Sequence, residues 1–416
     1  MFNNKIQFII QWFNKLKYLR KNNETGVNFM RIGIDKIGFA TSHLYVDMAE
    51  LAKARNEEPN KYLIGLGQQK MAVIPPSQDI VTMACTAAEK ILTSEDKNKI
   101  GLVVFGTESG IDNSKSAAMY LVDLLGLPEN LRAFEIKQAC YGATAGVAMA
   151  RGYLALHPDK KALVIGADIA RYGLKTSGEA TQGGGAIALL MSSDPAILAL
   201  EPKTAYYAKN VMDFWRPLGH AEALVEGKYS AQIYLDFFNQ VYLDYLKQTK
   251  LSLSDFSAFI FHLPYTKMGL KALRTIISDT EPEIADNLKE QFEASREYNR
   301  NVGNLYTGSL YLSLLSLLQN SSNLTAGQRI GLFSYGSGAQ GEFFTGILQD
   351  GFEDFVNKDN VSTMLAKRHQ VSVTDYEHIY RQSLKNKDEL IIDYQSDRAP
   401  FVLTGIKNSQ RQYLHQ

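Results

Sequence analysis

The chain has 416 residues, with 44 Lys plus Arg and 44 Asp plus Glu, so its formal net charge is zero. A neutral chain lacks the positive field that nucleic-acid binding needs, and we expect no nucleic-acid partner. Apolar residues make up 45% and charged residues 21%, which excludes a mainly disordered chain. Two cysteines, Cys85 and Cys140, are too few for a disulfide framework or a cysteine-rich zinc site, and a cytoplasmic protein is expected. No apolar stretch approaches the roughly 18 residues of a membrane-spanning helix.

The first residues of the chain form a separate segment. Apolar residues spaced by three or four would share one face of a helix that also carries several basic residues; they are Phe2, Ile6, Ile9, Phe13 and Leu16. This pattern is compatible with a helix lying on a membrane surface. The other interpretation is an extension outside the fold, which is favoured because a strand-like run begins directly after Met30. We therefore expect residues 1–29 to lie outside the fold and no membrane partner.

Residues 30–199 alternate short apolar runs with helical periods, the signature of an α/β fold. The apolar run 79–92 predicts a core helix that contains Cys85 and begins after Ser77 as N-cap. Residues 141–156 predict a second helix, rich in Ala and Gly and therefore closely packed. Strands are predicted at residues 100–105, 133–139, 162–166 and 186–191.

Residues 200–416 repeat this order of elements, which predicts two similar halves that meet between residues 195 and 202. Strands are predicted at 258–262, 330–335 and 342–348, and an apolar helix rich in small residues at 308–318. A second helix at 229–245 places Tyr234, Phe238, Val241 and Tyr245 on one face. That aromatic face is expected to be core or an interface between two copies.

Cys140 is the strongest candidate for chemistry. It lies where an extended run ends and a helix begins, in Gln138-Ala139-Cys140-Tyr141-Gly142. The positive end of a helix dipole favours the thiolate, which is the nucleophilic form of cysteine. A buried and inert thiol fits the same pattern equally well.

Three further residues occupy positions where functional groups collect. His262 ends the run 258–262, and groups at the carboxyl ends of strands often form sites, although a purely structural His fits too. Glu108 follows the strand 100–105 in a Gly-flanked turn and could act as a general base, although most such acids are only solvated. Asn304 precedes the small-residue helix and could polarise a carbonyl, a weak indication when taken alone.

Two glycine-rich runs imitate a dinucleotide site. Gly336-Ser337-Gly338-Ala339-Gln340-Gly341 fits the pattern G-x-G-x-x-G after a strand, but a helix should follow and the next residues look extended. The same holds for Gly183-Gly184-Gly185. We therefore interpret both runs as tight hairpin turns between strands. The sequence also contains no recognisable metal-ligand cluster.

Taken together, these residues resemble the thiolase superfamily, and within it the bacterial 3-hydroxy-3-methylglutaryl-CoA synthase family. The resemblance runs from about Met30 to about Arg411 and implies a thiolase-like α/β fold of two pseudo-repeated halves in αβαβα layers. Many members have Asn-Ala-Cys where this chain has Gln138-Ala139-Cys140, which leaves the nucleophile itself unchanged. The motifs that carry the resemblance are Phe105-Gly106-Thr107-Glu108-Ser109, Gln138-Ala139-Cys140-Tyr141-Gly142, Asp213-Phe214-Trp215-Arg216-Pro217, Phe261-His262-Leu263-Pro264 with Lys267-Met268, and Tyr335-Gly336-Ser337-Gly338.

The resemblance also implies a reaction and a set of roles. Cys140 would be acetylated by acetyl-CoA, and Glu108 would remove a proton from the acetyl methyl group. The carbanion would attack the ketone of acetoacetyl-CoA, which His262 and Asn304 polarise, and water would release the product. It further implies a homodimer that needs no metal or organic cofactor. The remaining contacts implied are an oxyanion hole near Cys140 and Ser337, an acyl site lined by Tyr172, Phe214 and Ser337, and CoA phosphates bound by Lys267 and Lys271.

Two rival interpretations stay open at this stage. A type III β-ketoacyl synthase also uses Cys, His and Asn but forms its carbanion by decarboxylation, so that it needs no counterpart of Glu108. A non-catalytic acyl-CoA-binding protein would need none of the four residues Cys140, Glu108, His262 and Asn304. Glu108 and the length of the chain favour the synthase over the ketoacyl synthase, and the intact set of four residues argues against a non-catalytic protein.

Overall fold

The computed structural model describes residues 31–356, 360–382, 384 and 387–416. The expectations for residues 1–29, including the amphipathic helical face, lie outside the described residues. Within the described part of the chain, no helix is long and apolar enough to cross a membrane.

Strands and helices alternate along the described chain, as the sequence predicts, and both are numbered here in chain order. The strands are β1 (Gly33–Ala40), β2 (Leu44–Asp47), β3 (Lys70–Val73), β4 (Ile100–Gly106), β5 (Arg132–Ile136), β6 (Lys161–Ala170), β7 (Gly183–Ser192), β8 (Leu198–Ala208), β9 (Phe214–Trp215), β10 (Leu224–Val225), β11 (Ala258–Phe261), β12 (Arg329–Gly336), β13 (Gln340–Leu348), β14 (His369–Gln370), β15 (Leu390–Ile391), β16 (Phe401–Lys407) and β17 (Gln410–His415). The α-helices are α1 (Met48–Ala54), α2 (Ile80–Glu89), α3 (Ser94–Lys99), α4 (Ala118–Leu124), α5 (Gly142–Leu156), α6 (Gly227–Thr249), α7 (Thr266–Ile277), α8 (Pro282–Val302), α9 (Ser309–Asn320), α10 (Glu353–Val356), α11 (Val361–Ala366) and α12 (Val373–Arg381). Short helical turns cover Lys61–Leu66, Glu179–Thr181, Leu253–Asp255 and Tyr306–Gly308.

The large sheet shows the repeat that the order of elements predicts. Its strands lie in the order β11-β12-β13-β8-β1-β7-β6-β4-β5. In the first series, β7 pairs antiparallel with β1, β6 pairs antiparallel with β7, and β4 pairs parallel with β6. In the second series, β13 pairs antiparallel with β8, β12 pairs antiparallel with β13, and β11 pairs parallel with β12. The two series join where Gly33 and Ile34 of β1 pair with Ala199 and Leu198 of β8. The two series therefore share a pattern of four strands, and the first adds β5 parallel to β4 at the edge of the sheet.

Helices cover both series of strands and also lie between them. α5 and α9 share one hydrophobic cluster with strands of both halves, and Thr144 of α5 is hydrogen-bonded to Tyr311 of α9 at 3.0 Å. α2 and α4 pack on the outer side of the first series, and α6 and α7 on the outer side of the second. Each series of strands of the joined sheet thus forms one layer, with α5 and α9 between the two series and helices outside each, and the expected αβαβα arrangement is confirmed.

Two helices, α2 and α6, can be compared with their sequence-based predictions. The helix expected at 79–92 spans only Ile80–Glu89, and its N-cap is Asp79, which accepts hydrogen bonds from two backbone N–H groups. Ser77 is not the cap, because its hydroxyl donates instead to Asp397 at 2.6 Å. The aromatic face of α6 is confirmed as core, because all four of its residues are buried; they are Tyr234, Phe238, Val241 and Tyr245.

The two glycine runs behave differently from each other. Gly336–Gly341 turns between the antiparallel strands β12 and β13, so the expected hairpin is confirmed. The run at 183–185 is not a turn, because its glycines lie within β7 and residues 171–182 form the connection from β6. A side chain at Gly183 would meet the carbonyl oxygen of Val302 at 2.6 Å. Here glycine permits close packing against the chain that leads to Asn304.

Candidate active site

Cys140 lies on a sharp turn between β5 and α5. The strand expected at 133–139 ends already at Ile136, and Ala139 adopts a positive φ of 44° before the helix starts at Gly142. Two strand ends approach this turn so closely that only glycine fits. A Cβ on Gly106 would lie 2.5 Å from the Ala143 nitrogen, and one on Gly336 would lie 2.6 Å from the Gln138 oxygen. The turn is thus held between a strand of the first half and one of the second.

Glu108 is the immediate neighbour of the Cys140 thiol. The Sγ of Cys140 donates to Oε1 of Glu108 at 3.0 Å. Burial, reinforced by the negative charge of Asp168, raises the pKa of Glu108 to about 8. Burial, followed by the charge of Glu108, raises the pKa of Cys140 well above its ordinary value. The expectation that the helix dipole favours a thiolate is therefore wrong for the free protein, because burial next to a carboxyl group outweighs the dipole and favours the thiol.

Asp168, which the sequence analysis missed, holds the Glu108 loop. It is fully buried at the end of β6 and accepts five hydrogen bonds. One comes from the backbone N–H of Glu108 at 2.7 Å, and two come from the backbone and hydroxyl of Thr307 in the second half. Asp168 therefore joins the two halves beside Cys140. The available sequence signal was an acid directly after the apolar run 162–167.

Three aromatic rings form a cluster beside Cys140. The rings of Tyr172, Phe214 and Tyr306 meet edge to face, with centroids 5.8–5.9 Å apart, and Cys140 packs against the same cluster. The hydroxyl of Tyr172 accepts a hydrogen bond from Nδ2 of Asn304 at 3.3 Å. The structure thus places Tyr172, Phe214 and Asn304, all singled out from the sequence, in one group with Cys140. Tyr306 joins them without having been singled out.

Asn304 is held in one orientation by its own neighbours. Its Oδ1 accepts from the backbone N–H of Tyr306 at 2.8 Å and from the hydroxyl of Ser309 at 2.9 Å. Because the oxygen is thereby occupied, the Nδ2 donor must point toward Tyr172. The side chain is almost completely buried, with 1% exposed.

His262 directly follows β11, and its backbone N–H continues the ladder by donating to Phe333 at 2.9 Å. Burial lowers the pKa of His262 to about 3, so the ring is neutral at physiological pH. Its Nδ1 is buried and has no hydrogen-bond partner among the described residues. A buried polar atom of this kind is typical of ligand sites. A neutral imidazole can donate one hydrogen bond to a carbonyl oxygen but is a weak acid.

Ser337 and the two lysines make their described hydrogen bonds with residues other than Cys140. The carbonyl of Ser337 accepts a hydrogen bond from Nε2 of Gln138 at 3.4 Å, and buried Asp213 accepts from the N–H of Gly338 at 2.9 Å. Lys267 lies in the first turn of α7 and donates to the carbonyl of Ile64 at 3.2 Å. Lys271, one turn later and exposed, donates to the hydroxyl of Tyr265 at 3.0 Å.

Arg216 acts on Glu108 through its charge, a role that the sequence motif containing Arg216 did not indicate. It follows Phe214 in the chain, and its positive charge lowers the pKa of Glu108, opposing the larger effects of burial and Asp168. In the described part of the chain, no group of three or more His, Cys, Asp or Glu side chains could hold a metal ion.

A repeated, five-layered α/β fold with a cysteine at the start of a central helix is the thiolase-like fold. Comparison with known sequences shows which family within this fold class the chain matches. The family "Hydroxymethylglutaryl-coenzyme A synthase N terminal" matches residues 29–196, and "Hydroxymethylglutaryl-coenzyme A synthase C terminal" matches residues 198–283 and 279–398. The chain therefore belongs to the hydroxymethylglutaryl-CoA synthase family.

Individual relatives agree with this assignment. The chain is 49% identical over 384 residues to the hydroxymethylglutaryl-CoA synthase of Enterococcus faecalis, covering 92% of this chain and 100% of the relative. It is 32% identical over 373 residues to the polyketide biosynthesis 3-hydroxy-3-methylglutaryl-ACP synthase PksG of Bacillus subtilis, covering 84% and 88%. A solved structure of HMG-CoA synthase complexed with CoA matches with a TM-score of 0.90 and 44% identity, covering 93% of this chain and 100% of that one.

Proposed function

We propose that this chain condenses acetyl-CoA with acetoacetyl-CoA and water to give 3-hydroxy-3-methylglutaryl-CoA and CoA, through an acetyl thioester on Cys140. The observation that carries the proposal is the contact of 3.0 Å between the Cys140 thiol and Glu108, beside a cluster of aromatic rings. Membership of the family supports the choice of reaction. The proposed place of the reaction is the mevalonate pathway of isoprenoid synthesis.

The first step forms the acetyl-enzyme. The sulfur of Cys140 attacks the thioester carbonyl of acetyl-CoA, the bond from the carbonyl carbon to the CoA sulfur breaks, and the proton of the Cys140 thiol passes to the departing CoA thiolate. Glu108 accepts the hydrogen bond of the Cys140 thiol at 3.0 Å and thereby orients the sulfur for this attack. The new thioester fixes the acetyl group in the pocket, so that the following condensation is effectively intramolecular.

The second step makes the carbon–carbon bond. The Glu108 carboxylate removes a methyl proton of the acetyl group, and the resulting enolate attacks the ketone of acetoacetyl-CoA. A pKa of about 8 makes Glu108 a stronger base than an ordinary carboxylate while leaving part of it ionised near neutrality. His262 and Asn304 polarise the ketone by donating hydrogen bonds, and the proton that Glu108 took from the methyl group is returned to the new alkoxide, which restores the Glu108 carboxylate.

The last step is hydrolysis of the thioester that joins the product to Cys140. Water adds to the carbonyl carbon, the carbon–sulfur bond breaks, and the carboxylic acid and the free thiol result. Backbone N–H groups near Cys140 and Ser337 are proposed to stabilise the oxyanion in each acyl transfer. Tyr172 and Phe214 line the acyl site, and Lys267 and Lys271 are proposed to bind CoA phosphates, for which Lys271 is suitably exposed.

CoA thioesters are therefore substrates, and no resident cofactor is included in the proposal. CoA is proposed as the carrier of the acetyl group because the identity of 49% to the CoA synthase exceeds the 32% to the relative named for an acyl carrier protein. A cytoplasmic location is proposed because both cysteines are free thiols in the structure. The division into residues 30–199 and 200–416 also remains a proposal, supported by family matches that change between residues 196 and 198.

A homodimer is part of the same proposal. β5 is the outermost strand of the large sheet, so one edge of it has no strand partner among the described residues. Such an edge can pair with a second copy. α5 lies in the central layer, yet 50% of Met149 on it is exposed, as is 73% of Tyr206 on β8. A second copy would cover surfaces of this kind, and sedimentation equilibrium tests the stoichiometry.

The experiment that tests the function uses labelled acetyl-CoA. The wild-type protein should acquire one labelled acetyl group on Cys140 and should lose it as 3-hydroxy-3-methylglutaryl-CoA when acetoacetyl-CoA is added. Malonyl thioester should release no carbon dioxide. Absence of label would overturn the catalytic assignment, and decarboxylation of malonyl thioester would favour a ketoacyl synthase. Acetylation only from acetylated carrier protein would show that the donor is not CoA.

A further inference from the structure

The loop of residues 171–182, which carries Tyr172, is held by a helix from a distant part of the chain. Tyr380 on α12 accepts a hydrogen bond from the backbone N–H of Gly173 at 3.1 Å. The guanidinium of Arg171 lies 4.5 Å from the centre of the Tyr380 ring and donates to the Tyr380 carbonyl at 2.9 Å. α12 therefore contacts both chain neighbours of the acyl-site tyrosine.

Tyr376, one helical turn earlier, is connected to Tyr172 itself through Gln182. The backbone N–H of Tyr172 donates to Oε1 of Gln182 at 2.7 Å, and Nε2 of Gln182 donates to the hydroxyl of Tyr376 at 2.8 Å. The hydroxyl of Tyr376 donates in turn to Glu179 at 3.2 Å. Gln182 and Tyr376 are each only 3% exposed, so water cannot readily replace these partners.

The direction of this chain of hydrogen bonds is fixed at its far end. Glu179 is 1% exposed and receives two hydrogen bonds from Arg55, at 2.7 and 2.8 Å. A carboxylate paired in this way accepts only, so the Tyr376 hydroxyl must donate to it and must accept from Gln182. The amide of Gln182 consequently turns its nitrogen to Tyr376 and its oxygen to Tyr172. Without the hydroxyl, the amide nitrogen loses its partner, and this end of Gln182 is no longer held.

The orientation matters because Tyr172 is held from two sides. Gln182 fixes its backbone, and its hydroxyl receives the hydrogen bond from Nδ2 of Asn304. Asn304 is the proposed donor to the ketone of the second substrate. A movement of the loop would shift the Tyr172 hydroxyl relative to this donor, and displacements of about 1 Å can reduce rates by about a hundredfold.

We propose that Tyr376 is a positioning residue for the condensation step, in which it anchors the Gln182 side chain that fixes Tyr172 against Asn304. The inference rests on the proposed function. It concerns the second half-reaction, because the direct partner of the Cys140 thiol is Glu108 and not Tyr172. We therefore expect the loss of the Tyr376 hydroxyl to slow condensation much more than acetylation of Cys140.

The test is the variant Tyr376→Phe, which keeps the ring and removes the hydroxyl. The wild-type protein is first shown to acetylate and to condense, so that failure of the proposed function is recognised separately. In the variant, we expect labelled acetyl-CoA to acetylate Cys140 at close to the wild-type rate. The kcat/KM for acetoacetyl-CoA should fall by about ten- to a hundredfold.

The matched control is Tyr298→Phe. Tyr298 is 2% exposed, and its hydroxyl is hydrogen-bonded to Gln319 at 2.6 Å and Ser362 at 3.2 Å, away from the Tyr172 loop. This variant should lose stability without a selective loss of condensation. An equal loss of condensation in both variants, or an equal loss of acetylation and condensation in Tyr376→Phe, would overturn the proposal.

A second variant approaches the same connection from its other end. Gln182→Met removes the amide and should show the same selective loss, which keeps the test available if Tyr376→Phe fails to fold. In the double variant, condensation should be no slower than in the single variant that condenses more slowly, because both changes break one connection. Independent, multiplying losses, or a folded Gln182→Met with normal condensation, would show that Tyr376 does not act through Gln182.

Discussion

Replacing Glu108 by Gln should separate the two half-reactions. The substitution keeps the size of the side chain and an oxygen that can accept the Cys140 thiol hydrogen, but it removes the base. Asp168, the nearest other carboxylate to act on Glu108, cannot replace it, because its two oxygens already accept five hydrogen bonds. Loss of a general base costs about a hundred- to ten-thousandfold, or about 3–5 kcal/mol in the barrier. Acetylation should fall far less, because the Gln side chain no longer raises the pKa of the Cys140 thiol by its charge.

The same substitution should change stability in a way that depends on pH. The pKa of Glu108 is raised from an ordinary value of 4.5 to about 8, so the unfolded chain releases this proton at a lower pH than the folded protein does. The wild type therefore loses stability as the pH rises from about 4.5 to 8, by an amount on the order of 5 kcal/mol at most. Gln cannot ionise, so Glu108→Gln should be more stable than the wild type at pH 8, with a smaller difference at pH 5.

Three measurements check this prediction. Mass spectrometry with acetyl-CoA reports acetylation of Cys140, exchange of the acetyl methyl protons with deuterated solvent reports enolisation, and denaturant unfolding at pH 5 and 8 reports stability. Glu135→Gln is the matched control, since burial also raises the pKa of that acid on β5, outside the site. Wild-type exchange and condensation in Glu108→Gln would refute the base assignment. A stability difference that is the same at both pH values would refute the raised pKa.

Three further predictions concern other residues. Cys140→Ser should abolish acetyl transfer while the fold persists, because a hydroxyl is a far weaker nucleophile than a thiolate. Cys85→Ser, in the buried face of α2, should lose some stability and keep its activity. An acetyl label on the Cys140 variant and none on the Cys85 variant would reverse the assignment of the nucleophile. Arg216→Gln removes a positive charge that lowers the pKa of Glu108. The increase of the condensation rate with pH should therefore occur at a higher pH than in the wild type. A shift of this increase to lower pH would contradict the electrostatic role of Arg216. Deletion of residues 1–29 should leave a folded, active protein, because the family match begins at residue 29; lost activity would show the segment to be integral, and loss of liposome binding would show a membrane role.

The strands and the nucleophile turn could be predicted because their signals are local. The runs that form β4 and β12 are buried on both faces and are therefore continuously apolar, which distinguishes them without knowledge of their neighbours. Cys140 was found because a strand, a small-residue turn and a helix follow one another in the chain. The exact cap of α2 was missed, because Ser77 and Asp79 are both good caps and only the distant Asp397 decides between them.

The residues that the sequence analysis missed act through partners far away in the chain. Asp168 looks like an interruption of a buried strand until Thr307, 139 positions later, is placed against it. Tyr376 is an ordinary apolar-face residue of a short helix until that helix packs on Gln182, 194 positions earlier. The pKa of Cys140 was misjudged for the same reason, since the dipole of a following helix can be read locally but burial beside Glu108 cannot.

Asp168 shows why position and basicity cannot be set independently in this site. As an anion it raises the pKa of Glu108, and as an acceptor it holds the backbone of Glu108 and of Thr307, so that the two halves meet beside Cys140. A neutral residue in its place would make Glu108 a weaker base and would release the loop that aims it. A buried carboxylate is unfavourable in itself, and burial raises the pKa of Asp168, but the donors that Asp168 orders oppose that effect. Buried Asp168 thus both orients the Glu108 carboxyl group and makes it a stronger base.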